Sequence, residues 1–378
     1  MKKKIFYWSP GFAKIATFKA VINSAKSLAK YDNNHEIFIL NFFGEFNNYK
    51  KNFENEKIEF INFFNKRILQ QLPKYGWLKS RITFLFIFIT SFFPLKNLLK
   101  KTKPDFLVIH LVSSLPLILL ILFNFRTKFV LRISGYPRLT FIRKLIWKIA
   151  FTKIYAVTCP TKLTKEKLLK ANLIDEKKIH ILYDPIINVH ESNKLKKSFF
   201  KNPEKKFFLA AGRLTNQKNF EFLINAYEKF IFKSDKLLLI AGEGEEKKKL
   251  KELIFKKKLQ EKIFLIGHVS NIFKYMKNCE AFILTSLWED PGFVLIEAAF
   301  CRANIISSNC KNGPIEFIEN NKCGFGFETN NLDDFEKQFH YFINANQKDI
   351  LYKKINAFKK IRSFSCFQHY KSLVEILN

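Results

Sequence analysis

Short, uninterrupted apolar runs recur along the second half of the chain, and each is followed by a stretch with helical spacing. Two of them, at residues 207–213 and 237–242, contain glycine at or beside their end, and others lie at 263–269, 281–286 and 304–308. Continuous runs, unlike alternating ones, predict strands that are buried on both faces, as in a parallel sheet covered by helices. We therefore expect a doubly wound α/β domain in the second half.

The first half shows the same alternation less regularly. Strands are predicted at residues 5–8, 36–40, 57–61, 106–110, 129–133 and 154–158, and helices at 16–30, 78–100 and 143–151. The charged, polar segment 189–206 is predicted to be a linker. The expected organisation is a first α/β domain at residues 1–188, this linker, a second α/β domain at 207–360 and a terminal segment at 361–378.

The size and composition agree with two packed domains. The chain has 378 residues, and a single hydrophobic core stops growing at roughly 250–300 residues. Hydrophobic residues make up 48% of the sequence, which excludes a mainly disordered chain. Six cysteines without a Cys-x-x-Cys pair make a zinc site or a disulfide framework unexpected and fit a reducing cytosol.

Positive charge is concentrated in the first half. Lys and Arg total 65 against 33 Asp and Glu, and residues 1–200 hold 36 of the basic and 12 of the acidic ones, a net of +24 out of +32. Between Arg126 and Lys170 there are 12 basic residues, one acidic residue and several interleaved aromatic residues. Two interpretations stay open, namely docking on an anionic membrane surface and a solvated lysine-rich surface.

Apolar stretches in the first half are not expected to span a membrane. The first apolar run is too short for a signal peptide. Residues 82–94 are apolar for about thirteen positions, short of the roughly 20 that a spanning helix needs, and 106–125 divides better into a strand and a helix. The stretch 82–94 is expected either to lie in a membrane interface or to be a core helix.

The first predicted strand of the second domain ends in a basic loop. Gly212 lets the backbone turn, and Arg213 and Lys218 provide two cations next to a predicted helix start. Fixed cations and a helix N-terminus form a receptor for a diphosphate. A solvated loop is the alternative interpretation.

A later predicted strand runs into a carboxylate, Glu289, after which proline and Gly292 turn the chain into a helix. The first amides of that helix, at Phe293 and Val294, are available to a phosphate. Glu297 lies inside this otherwise apolar helix, where a carboxylate needs partners such as two ribose hydroxyls. A structural ion pair is the alternative for each glutamate.

Glu289 and Glu297, with seven residues between them, resemble the Glu-x7-Glu motif of glycosyltransferase family 4, the group 1 type of retaining GT-B enzymes. Gly212, Arg213 and Lys218 are similar to that family's phosphate-binding segment. The resemblance implies α/β GT-B architecture, with two facing Rossmann-like doubly wound domains and a C-terminal helix at about 361–378 that crosses back to the first.

The resemblance also implies roles for individual residues. Arg213 and Lys218 are expected to bind the diphosphate, Glu297 the ribose and Glu289 the donor sugar. His268 and Val269, after the third strand of the second domain, are expected beside the nucleotide, with a loop histidine that has no further role as the alternative for His268. In the first domain, Gly11 is the expected close-approach glycine and His110 the histidine near the reaction centre, with a satisfied core histidine as the alternative for His110.

The loop after the fifth predicted strand of the first domain holds Arg132, Gly135 and Tyr136. We expect these residues to contact the acceptor or a phosphate, with a plain turn as the alternative.

The activity that follows is retaining transfer of a hexose or N-acetylhexosamine from a nucleotide-diphosphate sugar, with UDP as the expected nucleotide. The expected acceptor is a polyprenyl-diphosphate-linked saccharide of O-antigen, lipopolysaccharide or capsule synthesis, used at the inner face of the cytoplasmic membrane. No Asp-x-Asp occurs in the chain, so neither a metal nor another cofactor is expected. A sugar-nucleotide epimerase of the same fold and a basic nucleic-acid-binding protein are the rivals, and no nucleic-acid-binding signature favours the second.

Overall fold

The two halves of the chain form separate α/β units, each built on its own parallel sheet. The computed structural model describes residues 2–10, 16–47, 49, 57–64, 77–133, 135, 137, 139–198, 205–231 and 235–378. Residues 1–185 and 366–378 form unit 1, and residues 186–365 form unit 2. The chain leaves unit 1 once and returns to it for its last thirteen residues.

The strands of unit 1 match the apolar runs of the first half. They are β1 (Lys3–Trp8), β2 (His35–Asn41), β3 (Ile58–Asn62), β4 (Phe106–Ile109), β5 (Lys128–Arg132), β6 (Ala156–Cys159) and β7 (Ile179–Ile181). All pair in parallel in the order β3-β2-β1-β4-β5-β6-β7. The order reverses direction at β1 and β4, which is where doubly wound sheets bind their ligands.

Helices cover both faces of this sheet. In the described part of unit 1 they are α1 (Ala16–Tyr31), α2 (Trp77–Thr102), α3 (Ser114–Leu122), α4 (Phe141–Lys153), α5 (Lys162–Lys170) and, from the end of the chain, α14 (Cys366–Leu377). One core cluster joins the strands to α2, α3, α4 and α5, and another joins them to α1 and α14. Burial on both faces explains why these strands have no polar face.

The helix predicted at 78–100 is α2, but its apolar part is longer than the expected stretch 82–94. The expected apolar stretch stopped at residue 94, but the helix continues through Pro94 to Thr102 because Leu95 and Leu99 extend its buried face. Residues 82–102 are long and apolar enough to cross a membrane by length and composition, and 28% of the residues in an apolar 18-residue window of this stretch are buried. The expectation that this stretch is too short to span is thus wrong in its length, and the helix packs on the sheet of unit 1.

A chain of buried hydrogen bonds fixes α14 to unit 1. The Tyr7 hydroxyl lies 3.0 Å from Ser24 Oγ, which lies 2.8 Å from Nε2 of His369 in α14. Nδ1 of His369 donates to the carbonyl oxygen of Tyr183 at 2.8 Å. Burial lowers the pKa of His369 to about 4, so the imidazole is neutral at pH 7 and its Nε2 accepts from Ser24.

Unit 2 repeats the architecture with six strands in the sheet that the described residues form. They are β8 (Phe207–Ala211), β9 (Leu237–Ala241), β10 (Ile263–Gly267), β11 (Phe282–Leu284), β13 (Ile305–Ser308) and β15 (Phe325–Phe327), in the order β10-β9-β8-β11-β13-β15. A separate short pair joins β12 (Trp288–Glu289) and β14 (Lys311–Asn312).

The helices of unit 2 follow the strands in alternation. They are α6 (Val189–Lys197), α7 (Phe220–Ala226), α8 (Lys247–Lys256), α9 (Ile272–Asn278), α10 (Phe293–Phe300), α11 (Gly313–Ile318), α12 (Leu332–Asn344) and α13 (Gln347–Lys360). One core cluster holds α7, α8 and α12 against the strands, and α10 packs on β11 and β13.

The predicted linker at 189–206 is wrong over its first half. Residues Val189–Lys197 form α6, whose Asn188 cap accepts from the amide of Glu191. The helix packs on α9, where the Asn271 side chain donates to the carbonyl oxygen of Leu195 at 2.9 Å. The charged composition that indicated a linker belongs to the solvated face of a short surface helix, and the chain passes between units at Pro185–Ile186.

We expect the stability of unit 1 to depend on the protonation of His369. The unfolded imidazole has a pKa near 6.5 and the folded one about 4, so the unfolded state binds more protons between these values. The stability is fully present above pH 6.5 and is lost as pH falls toward 4, by about 1 kcal/mol per pH unit. Urea unfolding at several pH values measures this slope.

The slope is expected to flatten in His369→Phe and to stay unchanged in His340→Phe, which alters an exposed histidine of α12. Equal slopes in both variants would show that His369 is not the titrating group.

Candidate functional site

The loops that leave the carboxyl ends of β8, β9 and β10 are bonded to one another. The amide of Gly212 donates to the carbonyl oxygen of Ala241 at 2.9 Å, and that of Gly242 to Gly267 at 2.8 Å. The amide of Leu214 donates to the carbonyl oxygen of Glu243 at 3.0 Å. The basic loop after β8 is therefore held by the next loops of the sheet, at the edge where open α/β sheets bind ligands.

Glycine is required where these loops approach each other. A Cβ on Gly242 would lie 1.8 Å from the carbonyl oxygen of Gly212, and a Cβ on Gly244 would lie 2.3 Å from that of Leu214. The sequence shows Gly-x-Gly here but not what it is for. In the structure the two glycines let the β9 loop lie directly against the loop that holds Arg213.

Arg213 and His268 lie on the surface of this edge. Both side chains are exposed, whereas Val269 beside His268 is half-buried. The flanking Leu214 is fully buried and anchors the loop. The arrangement leaves the Arg213 guanidinium in solvent, where it is available to an anionic ligand.

Lys218 and Glu289, two residues predicted to contact the donor separately, form an ion pair with each other. Lys218 Nζ contacts Glu289 Oε1, with 12% and 8% of the side chains exposed. The same oxygen accepts from Ser286 Oγ at 2.7 Å. An ammonium has three donors, so Lys218 can bind Glu289 and still donate to a phosphate. The pair fixes the position of both groups before any ligand binds.

The loop around Glu289 is held by residues that the sequence pattern did not single out. Gln217 donates from Nε2 to the carbonyl oxygen of Trp288 at 2.8 Å and accepts from the amide of Leu287 at 2.8 Å. Strand β12 pairs with β14, and a Cβ on Gly313 would lie 1.7 Å from the carbonyl oxygen of Pro291. These contacts join segments that are far apart in the sequence, so no local sequence pattern indicates them.

Helix α10 begins beside this pair with an open N-terminus. Its cap is Gly292, which has φ of 91° and no side chain to bond the first-turn amides of Phe293 and Val294. The positive φ favours glycine at this position. The helix dipole and amides without a side-chain cap favour an anionic group here.

Glu297 lies one turn further along α10. It is 7% exposed, between Ile296 and Ala298, which are fully buried. Residues four apart share a helix face, so Glu297 follows Phe293 on the same side. A buried carboxylate next to an open helix N-terminus has the chemistry to bind paired hydroxyls next to a phosphate.

The second unit thus brings together the residues predicted for the donor. Gly212, Arg213, Lys218, His268, Val269, Glu289, Gly292, Phe293, Val294 and Glu297 all lie after the carboxyl ends of its strands or in the first turns of α10. No group of three His, Cys, Asp or Glu side chains in the described ranges is arranged to hold a metal ion.

In unit 1, His110 follows β4 directly. Its amide donates to the carbonyl oxygen of Trp8 at 2.9 Å, and its ring centroid lies 5.8 Å from that of Tyr7. Burial, together with Arg132 and His369, holds the pKa of His110 well below its usual value. The imidazole is therefore neutral at pH 7, and its role at the reaction centre stays a prediction.

Arg132 is placed differently from the expectation of an acceptor contact. Its side chain is 5% exposed, and Nε donates to Asp184 Oδ1 at 2.7 Å while Nη2 contacts Asp184 Oδ2. A bidentate buried pair occupies the side chain in holding β5 to the segment after β7. The pair with Asp184 has a structural role, the acceptor contact of Arg132 stays a prediction, and Gly135 lies half-buried in the loop beyond it. Gly11 and Tyr136 lie outside the described residues.

Comparison with known proteins follows the same division of the chain. The model of the family described as glycosyl transferases group 1 matches residues 191–360. The N-acetylgalactosamine-N,N'-diacetylbacillosaminyl-diphospho-undecaprenol 4-alpha-N-acetylgalactosaminyltransferase of Campylobacter jejuni is 29% identical over 226 residues, which cover 58% of this chain and 61% of that protein.

A second relative, the UDP-Gal:alpha-D-GlcNAc-diphosphoundecaprenol alpha-1,3-galactosyltransferase of Escherichia coli, is 28% identical over 58% of this chain and 61% of its own length. The chain thus spans about three fifths of the length of these curated relatives. A glycosyltransferase structure from Rickettsia africae superposes with a TM-score of 0.76 at 20% identity, covering 100% of this chain and 98% of that one. The predicted α/β, GT-B fold class is confirmed.

We expect Gly242→Ala to destabilise unit 2. The new Cβ would lie 1.8 Å from the carbonyl oxygen of Gly212, so the two loops must separate, at a cost of about 3 kcal/mol. Urea unfolding measures the loss.

Gly135→Ala is the matched control, because a Cβ there meets no described atom within 4 Å. Equal stability of the two variants would show that the close approach of the loops is not a constraint.

Proposed function

We propose that the chain, whose residues 191–360 match the model of the group 1 glycosyl transferases, moves a hexose or N-acetylhexosamine from a nucleotide-diphosphate sugar to a membrane-associated saccharide. The observation that carries the proposal is the edge of unit 2 where the Lys218–Glu289 pair, the open N-terminus of α10 and the buried Glu297 occur together. Cations and helix amides suit a diphosphate, and carboxylates suit sugar hydroxyls.

The donor proposed is UDP-linked. The name of the relative from Escherichia coli gives a UDP-linked sugar as its donor. In this chain Glu297 would accept from the ribose hydroxyls, and the amides of Phe293 and Val294 would bind the diphosphate. His268 and Val269, on the neighbouring loop of the same sheet edge, would lie next to the nucleotide.

The acceptor proposed is a polyprenyl-diphosphate-linked saccharide used in cell-surface polysaccharide synthesis, such as O-antigen, lipopolysaccharide or capsule. Both relatives carry a diphospho-undecaprenol sugar in their names. A lipid-anchored acceptor requires the enzyme to work at a membrane surface, and we propose the cytoplasmic face, where nucleotide sugars are made.

The reaction proposed is displacement at the anomeric carbon, in which the bond to the diphosphate oxygen breaks and the acceptor hydroxyl forms the new one. Negative charge grows on the departing phosphate in a transition state that resembles an oxocarbenium ion. Arg213 and Lys218 would offset this charge in place of a metal ion. The neutral His110 of unit 1 is proposed to contact the donor sugar, as the family resemblance implies.

Binding of the donor nucleotide tests the site directly. A ligand at 100 times its dissociation constant stabilises the folded state by about 2.7 kcal/mol, so UDP is expected to raise the melting temperature measurably. The shift should disappear in Arg213→Ala and Glu297→Gln. ADP and GDP at the same concentration test the choice of base.

Lys248→Ala is the matched control for Arg213→Ala, because it also removes an exposed cation, from α8 of the same unit. A UDP shift that survives in Arg213→Ala and Glu297→Gln would exclude this edge of unit 2 as the donor site.

The stereochemical course and metal dependence are a separate prediction. With UDP-sugar and a short-chain polyprenyl-diphosphate saccharide, the product is expected to keep the anomeric configuration of the donor, as read by proton NMR. Activity should be unchanged by EDTA, because side-chain cations neutralise the leaving group. Inversion of the anomeric configuration would contradict the retaining assignment. Loss of activity in EDTA would contradict the assignment of a metal-independent enzyme. An isomerised UDP-sugar that forms without acceptor would indicate an epimerase.

A further inference from the structure

Helix α4 of unit 1 is apolar on two opposite sides. Trp147, Ala150 and Phe151 are buried in the core of the unit. The opposite side also consists of large apolar residues, and their exposed fractions are 83% for Phe141, 69% for Ile142, 52% for Leu145 and 45% for Ile149. A surface helix of a soluble domain normally presents polar residues on this side. The exposed side of α4 therefore fits a second apolar environment.

Helix α2 repeats the arrangement. Its buried side includes Ile87, Leu95 and Leu99, which lie in the same core cluster as Trp147. Its outer side exposes 61% of Ile82, 57% of Leu85, 62% of Ile89 and 62% of Phe93. The outer side becomes polar only beyond Phe93, at Asn97 and Lys100. Two helices of one unit thus share an unusual distribution of apolar residues.

The two helices flank α3 on the same face of the sheet. The Phe123 ring, at the end of α3, lies 6.4 Å from that of Phe92 in α2, and Lys96 of α2 lies over it at 4.6 Å. On the other side, Lys153 of α4 donates to the carbonyl oxygen of Ile121 at 3.0 Å. We call the exposed apolar side chains of this layer the outer face. It comprises Ile82, Leu85, Ile89, Phe93, Leu122, Phe141, Ile142, Leu145 and Ile149.

The charge around the outer face has a single sign. Helices α2, α3 and α4 together contain nine Lys and Arg residues and no Asp or Glu. Within α4, Lys144, Lys148 and Lys153 are exposed alongside the apolar residues. Apolar residues bordered by lysines are the pattern of helices that lie in a membrane interface, where each basic residue also attracts anionic headgroups.

We propose that the outer face docks unit 1 on an anionic lipid bilayer, with the exposed side of α4 and the first half of the exposed side of α2 inserted between the headgroups. The proposal rests on the proposed function for its biological setting, because a lipid-linked acceptor is reached at a membrane. The proposed function requires contact with a membrane but specifies neither the contacting surface nor the lipid, and the docking proposal names both.

Two other occupants fit the observations less well. A second copy of the chain would bring two surfaces of the same positive sign together without acidic partners on these helices. A membrane span by α2 would remove Ile87, Leu95 and Leu99 from the core they share with the sheet. An anionic bilayer satisfies both the charge and the exposed apolar area while the fold stays intact.

Vesicle flotation of the full chain tests the proposal. Phosphatidylcholine vesicles with and without phosphatidylglycerol are compared at low and high salt, using the parent, Leu145→Ser/Ile149→Ser and Lys144→Gln/Lys148→Gln. We expect binding to require phosphatidylglycerol and to fall about tenfold or more in the serine variant. In the glutamine variant, which removes two of the nine basic residues, binding is expected to weaken about tenfold or more at low salt and to become less dependent on salt.

Phe255→Ser is the matched control. Phe255 is 71% exposed on α8 of unit 2 and is followed by three lysines, so it resembles the outer face in composition but lies in the other unit. Its binding to vesicles is expected to equal that of the parent. All of these substitutions are at exposed positions, and a melting temperature equal to that of the parent confirms that each variant is folded.

Three outcomes would overturn the proposal. The first is equal vesicle binding by the serine variant and the unsubstituted chain. The second is a dimer of the unsubstituted chain in sedimentation that is lost in the serine variant. The third is resistance of the bound protein to alkaline carbonate extraction, which indicates a spanning helix. The UDP shift is measured on the same samples, and it is independent of the outer face. If UDP does not raise the melting temperature of the unsubstituted chain but the chain still binds vesicles, the proposed function is rejected and the docking surface is retained.

Discussion

The strands of both sheets lack a polar face, and the rest of the molecule follows from that constraint. A parallel strand that is apolar on both sides is stable only when helices cover it above and below, so every strand must be followed by a crossover helix. The loops at the carboxyl ends of the strands then collect at one edge of each sheet. In unit 2 these loops hold the cations and carboxylates, and the glycines let them lie against one another.

The Lys218–Glu289 pair shows how the edge of unit 2 is organised before a ligand arrives. Two buried charges of opposite sign stabilise each other where a single one would be costly, and Ser286 orients the carboxylate. A site whose charges are already fixed loses little conformational entropy on binding. Gln217 supports the same arrangement by bonding the backbone of Leu287 and Trp288, the two residues that directly precede Glu289.

The sequence predicts elements well where apolar runs are continuous, because burial on both faces leaves a local signal. It misses β7 and β15, which have three residues each, and it reads α6 as a linker because the packing partner of that helix lies far along the chain. The same limit applies to the site. Lys218 and Glu289 were each identified from their strand ends, but their pairing across 71 positions was not. The pairing of Arg132 with Asp184, 52 positions away, was likewise not visible in the sequence.

Unit 1 is discontinuous, since α14 follows the whole of unit 2 in the chain. During synthesis the ribosome therefore completes unit 2 while unit 1 still lacks a helix of its core. Until His369 arrives, the hydroxyls of Tyr7 and Ser24 have no imidazole to end their chain of hydrogen bonds, and the apolar residues of α1 that α14 covers stay in water. The order of the coding sequence thus sets the order of folding. Unit 1 begins to be translated first, but it finishes folding last because its final helix is translated last.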